Sequence, residues 1–218
     1  MIRRIGVLAT ALALCAAAAC RRPAQQTSGS DSALDRTAPD TFLVAINTNK
    51  GRIVLQAIRA WSPHGADRFY SLVNDHFYDG AKFFRVLPNF MAQFGIAADP
   101  AMNAKWAERK IPDDPVVRSN TRGFVSYATS GPNTRSAQLF INKADNRRLD
   151  RLGFAPFALV IDGMEVVDSL YMGYGEGPPL GNGPIQDRIA QQGNTYLNRY
   201  FPQLDSIITA RVVRLVQQ

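Results

Sequence analysis

Residues 83–95, FFRVLPNFMAQFG, decide how this chain is read. Pro88-Asn89 divides them into two apolar runs, 83–87 and 90–94, each the length of a short strand. Arg85, Asn89 and Gln93 are the only strongly polar side chains among them. A permanently charged guanidinium is costly to bury unless it is hydrogen-bonded. Arg85 is therefore either a solvated charge on an ordinary strand or a donor held at the wall of an apolar cleft.

Working outward, the pattern on both sides is strand-rich. Residues 42–48 and 52–58 are apolar runs on either side of the turn Asn49-Lys50-Gly51, which predicts a hairpin. Ser62-Pro63 opens a helix, with Ser as N-cap and Pro at the first position. Ala66, Phe69, Tyr70, Val73 and Phe77 then follow at helical spacing. Residues 96–120 are polar, contain Asp113-Asp114-Pro115, and read as a long loop. Strands are expected at 123–128, 138–142 and 157–161, with strong turn chemistry over 129–135. A short helix at 164–171, an irregular Gly- and Pro-rich stretch at 173–187 and a last strand at 206–216 complete the chain. Many short strands with few helices predict a mainly β protein, a closed antiparallel barrel with helices over its ends.

Composition narrows the class. The 218 residues are 46% apolar and 20% charged, which suits one globular domain. The net charge of +7 is scattered along the chain rather than blocked. No basic helix or basic aromatic platform is present, so nucleic acid is not an expected partner. His64 and His76 read as surface helix positions, and no His, Cys or acidic cluster has metal-ligand spacing. Gly173-x-Gly175-x-Gly177 precedes Pro178-Pro179 rather than a helix, which argues against a phosphate loop. Ser126 and Ser130 carry no nucleophile motif. No cofactor or metal is expected, and a monomer is the default.

The first nineteen residues read as a secretory signal. Arg3-Arg4 is a positive n-region, residues 5–19 are apolar, and small residues precede Cys20. Ala17-Ala18-Ala19-Cys20 also resembles a bacterial lipobox, whose cysteine is lipidated, although Ala17 stands where Leu is usual. Simple cleavage after Ala17-Ala18-Ala19 is the alternative. Both cysteines of the chain, Cys15 and Cys20, fall in this leader. A domain without disulfides must rest on its apolar core. Residues 20–40 read as a flexible tether, and residues 41–218 as the folded domain. The expected location is the periplasm or cell envelope, with a possible membrane anchor at Cys20.

Three segments carry a resemblance. Phe84-Arg85-Val86-Leu87-Pro88-x-Phe90-Met91-x-Gln93-x-Gly95 resembles the signature of the cyclophilin family of peptidyl-prolyl isomerases. Ala128-x-x-Gly131-Pro132-Asn133-Thr134-x-x-x-Gln138-Leu139-Phe140-Ile141-Asn142 agrees with it. Leu149-Asp150, then Phe157, then Gly163-Met164-x-Val166-Val167-Asp168 agrees more weakly. The likeness covers about residues 42–172. It implies a closed eight-stranded antiparallel barrel capped by two helices, with its cleft on the outer face.

The resemblance also implies roles. Arg85 donates towards the prolyl nitrogen and Gln93 orients it. Phe90, Met91, Phe140 and Leu149 wall a proline pocket. Ala128, Thr129 and Gln138 line the groove, Thr129 through its backbone. Proline-containing polypeptides are the implied partners. The sequence departs from the family pattern at the rim. Arg148 stands where an aromatic residue is frequent. The segment 150–156 lacks an expected His and is one residue longer, so Phe154 and Ala155 compete for that place. Phe94 replaces a small Gly, and Ile96 an acid. A prolyl isomerase with altered peptide preference is the leading expectation. A proline-binding chaperone-like module, or a scaffold docking a partner through residues 173–218, are the alternatives.

Overall fold

A computed structural model describes residues 35–213; the leader and most of the expected tether lie outside the described residues. Strands β1 (Thr41–Thr48) and β2 (Gly51–Ile58) form the expected hairpin, paired from Thr41–Ile58 to Thr48–Gly51. Period-two alternation sends Phe42, Val44 and Ile46 of one strand, and Ile53, Leu55 and Ala57 of the other, into the main core. The remaining strands are β3 (Arg85–Val86), β4 (Met91–Phe94), β5 (Phe124–Tyr127), β6 (Leu139–Asn142), β7 (Pro156–Asp162) and β8 (Ile207–Val213).

All eight strands pair antiparallel in one sheet, in the order β3-β4-β6-β5-β7-β2-β1-β8. The sheet curls around a core of large side chains that include Phe69, Tyr78, Phe83, Phe94, Tyr127 and Phe157. Among the described residues the ladders do not run round the full circle that a closed barrel implies. An isolated bridge between Lys82 and Ser206 spans the gap between β3 and β8. Gly80 N–H donates to Ile207 O (2.8 Å), and Phe83 N–H to Asp205 O (3.0 Å).

Helix α1 (Pro63–Asn74) buries Ala66, Phe69, Leu72 and Val73 against the sheet. Its N-terminus departs from expectation. Ser62 makes no side-chain cap bond there. Asp114 accepts from His64 N–H (3.1 Å) and Gly65 N–H (3.0 Å) instead.

The stretch 96–120 is not a plain loop. Helix α2 (Pro100–Ala107) lies within it, with Asp99 as N-cap accepting from Ala101 N–H (2.9 Å) and Pro100 in the first turn. Its proline marks a helix start rather than a loop. Helix α3 (Met164–Ser169) falls inside the short helix expected at 164–171. Helix α4 (Gln186–Tyr200) has no counterpart in the sequence reading. With residues 174–204 it forms a second apolar cluster on the outer face of the sheet, joining Ile189, Tyr196, Leu197, Phe201 and Leu204 to Phe84 and Ile96.

The boundary at Thr41 also moves. Residues 35–40, expected to be tether, are docked on the domain. Ala38 is buried in the main core. Arg36 N–H donates to Ser71 Oγ (2.9 Å), and Ala38 N–H to Asp67 Oδ1 (2.9 Å).

Candidate active site

The hairpin β3–β4 builds one wall of the site. Arg85 lies directly opposite Gln93 in its register, and cross-strand neighbours share a face of the sheet. Spacing of eight across a turn at Pro88-Asn89 therefore brings the two side chains together. Met91 and Gln93 face outward while Ala92 and Phe94 enter the core. Strand β6 pairs Phe140 with Gln93 and so adds Phe140 to the same outer face.

A cavity of about 350 Å³ opens on this face. Arg85, Phe90, Met91, Gln93, Ala128, Thr129, Gln138, Phe140, Leu149 and Phe154 all line it, together with Ser130, Thr134, Ser136 and Gln186. Met91, Phe140 and Leu149 are buried as one apolar cluster, with Phe90, Ala128 and Phe154 packed on it. The rings of Phe140 and Phe154 meet edge-on at 5.7 Å. Phe154 lines the cavity, while Ala155 is buried and does not.

Two buried asparagines hold this floor in place. Asn120 Nδ2–H donates to Phe154 O and to Asp150 Oδ1, both at 2.8 Å. Asn146 Nδ2–H donates to Phe90 O (2.8 Å) and Asn142 Oδ1 (2.8 Å). Asn120 and Asn146 were not singled out in the sequence, because a buried amide has no signature apart from its partners.

A polar chain crosses the cavity edge. Gln93 Nε2–H donates to Gln138 Oε1 (2.9 Å), and Gln93 Oε1 accepts from Arg85 Nη1–H (3.0 Å). Gln93 is 5% exposed, so these bonds offset the cost of burying its amide. The other edge of Arg85 is taken by a residue the sequence reading missed. Arg85 Nε–H donates to Glu176 Oε1 (2.7 Å) and Nη2–H to Glu176 Oε2 (2.6 Å). Those Arg85 bonds hold the Glu176 carboxyl below the usual carboxylate range, against a smaller opposing effect of burial.

The departures at the rim have clear positions. Arg148 is exposed and stands over the Phe90 ring at 4.8 Å. The Phe94 ring is in the core, 5.2 Å from Phe83 and 5.6 Å from Tyr78. Ile96 is covered by the α4 cluster. An apolar residue belongs there because the C-terminal segment removes that place from water.

Residues 43–190 match the family described as cyclophilin type peptidyl-prolyl cis-trans isomerase/CLD. A peptidyl-prolyl cis-trans isomerase of Acinetobacter baylyi is 38% identical over 134 residues, which cover 59% of this chain and 71% of that one. Peptidyl-prolyl cis-trans isomerase B of Escherichia coli is 34% identical over 137 residues, covering 59% of this chain and 83% of that one. The fold is shared with a cyclophilin type peptidyl-prolyl cis-trans isomerase of Cryptosporidium parvum, crystallised in the presence of the dipeptide Ala-Pro. The TM-score is 0.58 at 22% identity, over 79% of this chain and 99% of that one. Matched over most of its length, this chain belongs to the cyclophilin-type peptidyl-prolyl cis-trans isomerases, and it is an isomerase.

Proposed function

We propose that the chain isomerises X–Pro bonds in exported polypeptides and so assists their folding, with Arg85 as the catalytic donor. The cis and trans forms of such a bond differ by only about 0.5–1 kcal/mol, but the barrier between them is about 18–20 kcal/mol. That barrier is the partial double bond. In the twisted state the prolyl nitrogen regains a lone pair and becomes an acceptor. A fixed donor aimed at that nitrogen binds the twisted state better than either planar form. Lowering the barrier by about 7 kcal/mol would speed exchange by about five decades.

The observation that carries this reading is the placement of Arg85. It lies at the edge of an apolar cavity whose floor is Met91, Phe140 and Leu149, with its guanidinium held by Gln93. A proline ring needs such a slot, since it is apolar and offers no N–H. An arginine suits the edge because it stays charged and presents its donors in a rigid fork. The Cryptosporidium parvum relative, with its Ala-Pro dipeptide, supports proline-containing peptides as the ligand class.

The test is exchange kinetics on a proline tetrapeptide beside Arg85→Ala. The exchange rate should fall by about two to three orders of magnitude, the scale of losing one preorganised donor. Peptide affinity, measured by NMR titration, should stay within about threefold, since the ring pocket is untouched. Equal rates in the two proteins would remove Arg85 from the mechanism. Binding without turnover in the parent would favour a holdase.

Export is supported by Arg3-Arg4, the apolar run 5–19 and the small residues before Cys20. Lipid on Cys20 would tie the domain to a membrane. Cys20→Ser should then move the protein from the membrane fraction to the soluble fraction of the envelope. Unchanged fractionation would rule out the anchor.

A further inference from the structure

Glu176 makes the shortest bond to Arg85, yet the isomerase reading gives it no role. Arginine carries five N–H groups. Glu176 accepts two of them, from Nε and Nη2, and Gln93 accepts one from Nη1. One N–H remains on each terminal nitrogen. An unheld arginine distributes its donors over many rotamers. A carboxylate gripping one edge at two points fixes both the place and the plane of the guanidinium.

The segment that carries Glu176 is built to hold it still. Glu176 O accepts from Gly183 N–H (2.8 Å), and Glu176 Oε1 accepts from Gly177 N–H (3.1 Å). A Cβ on Gly181 would lie 2.3 Å from Glu176 O, so only glycine fits that turn. Tyr174 then packs edge-on against Phe201 at 5.0 Å, within the cluster that includes Phe84 and Ile96. Phe84 is the chain neighbour of Arg85. The C-terminal segment is thus anchored on the strand that carries the donor, and it also adds Gln186 to the cavity wall.

We propose that Glu176 is a positioning residue of the isomerase, fixing the Arg85 guanidinium so that its two remaining N–H groups are aimed into the cavity. This rests on Arg85 being the donor, so the two ideas are tested in one set of proteins. The set is the full chain, Glu176→Ala, Glu176→Gln, Arg85→Ala and Arg85→Ala/Glu176→Ala. Exchange rate and affinity are measured on one proline tetrapeptide, and thermal midpoints report folding.

Glu176→Ala should lower the maximal exchange rate about tenfold, with affinity changed less than about twofold. Glu176→Gln keeps one acceptor oxygen and should lose about threefold. In the Arg85→Ala background, Glu176→Ala should change nothing, because the group it positions is gone. The Arg85 Nε–H resonance should be sharp in the parent and broadened by water exchange in Glu176→Ala.

Three results would overturn the proposal: an unchanged rate in both Glu176 variants, a faster rate, or an equal loss with and without Arg85. The faster rate would mean that neutralising the guanidinium outweighs holding it. A parent with no turnover, or one matched by Arg85→Ala, would instead count against the isomerase reading and Arg85 as donor.

Discussion

Asp114 shows what a single side chain does for this fold. Its carboxylate is 2% exposed and accepts from the first turn of α1 at His64 N–H and Gly65 N–H. Ser62 Oγ–H donates to it as well, and Arg135 pairs with it at 3.0 Å. Burial alone would raise its pKa, but the bonds from Ser62, Gly65 and His64, together with the Arg135 charge, outweigh it and leave the pKa below the ordinary value. The sequence pointed to Ser62 as the cap, because a cap is usually local. Asp114 lies 50 residues downstream of His64, and only the tertiary fold brings it there. Asp114→Ala should cost about 3 kcal/mol in urea unfolding at neutral pH, since it takes the nearer carboxylate from the buried Arg135, which keeps Asp113 and Pro112 O, and removes the acceptor of the Ser62, His64 and Gly65 bonds. The charge contribution has a defined pH window. It is complete above the unfolded carboxyl value near 4 and is lost as pH falls through the depressed folded value. The stability gap between the parent and Asp114→Asn should therefore narrow on going from pH 7 to pH 3. A gap of the same size at both would show that the carboxylate charge contributes nothing.

Among the elements, legibility follows how local the cause is. The hairpin β3–β4 could be read because two apolar runs flank the turn at Pro88-Asn89; in the structure Arg85, Met91 and Gln93 alternate with the core residues Val86, Ala92 and Phe94. Phe140 was assigned to the pocket through the resemblance, and the structure puts it on the outer face of β6 between the core residues Leu139 and Ile141. Helix α4 was missed although its buried residues Ile189, Gly193, Tyr196 and Leu197 fall at i, i+4, i+7 and i+8, because the face is sparse, with a glycine at one of its four positions. Its backbone leaves helical geometry at that glycine, Gly193 (φ 56°, ψ −143°). The break lets Asn194 N–H reach Ala98 O (3.0 Å) and Asn194 Nδ2–H reach Gly80 O (2.9 Å). A Cβ on Gly193 would sit 2.1 Å from Ala98 O, so the close approach requires this glycine. Glu176 was illegible for a related reason. Its loop reads as irregular, and the docking of α4 decides which of its side chains meets Arg85.

For the whole molecule, the working unit extends past the family match of residues 43–190 on both sides. At the C-terminal side, the rest of α4 and β8 complete the outer cluster and the sheet edge. At the N-terminal side, residues 35–40 lie against α1 and the short turn Arg59–Trp61 that precedes it. Arg59 N–H donates to Asp40 O (2.9 Å), and Asp67 ties both Ala38 N–H and the Arg59 guanidinium. Asp35 pairs with Arg109 at 2.8 Å but is exposed, so that pair adds little. Nothing in 35–40 announces this docking, because Arg36-Thr37-Ala38-Pro39-Asp40 has no apolar period and its bonds go to backbone and to α1 side chains. A protein beginning at Thr41 loses three backbone-donated hydrogen bonds and the burial of Ala38. At about 0.5–1.5 kcal/mol for each net hydrogen bond, its unfolding free energy should be about 1.5–4.5 kcal/mol below that of a protein beginning at Asp35. None of the residues that 35–40 contacts through these bonds lines the cavity. The two proteins should therefore isomerise a tetrapeptide equally fast per folded molecule. Equal urea midpoints would show that the docked strap contributes no stability. A rate loss without a midpoint change would mean that the strap acts on the cavity through a path other than these bonds.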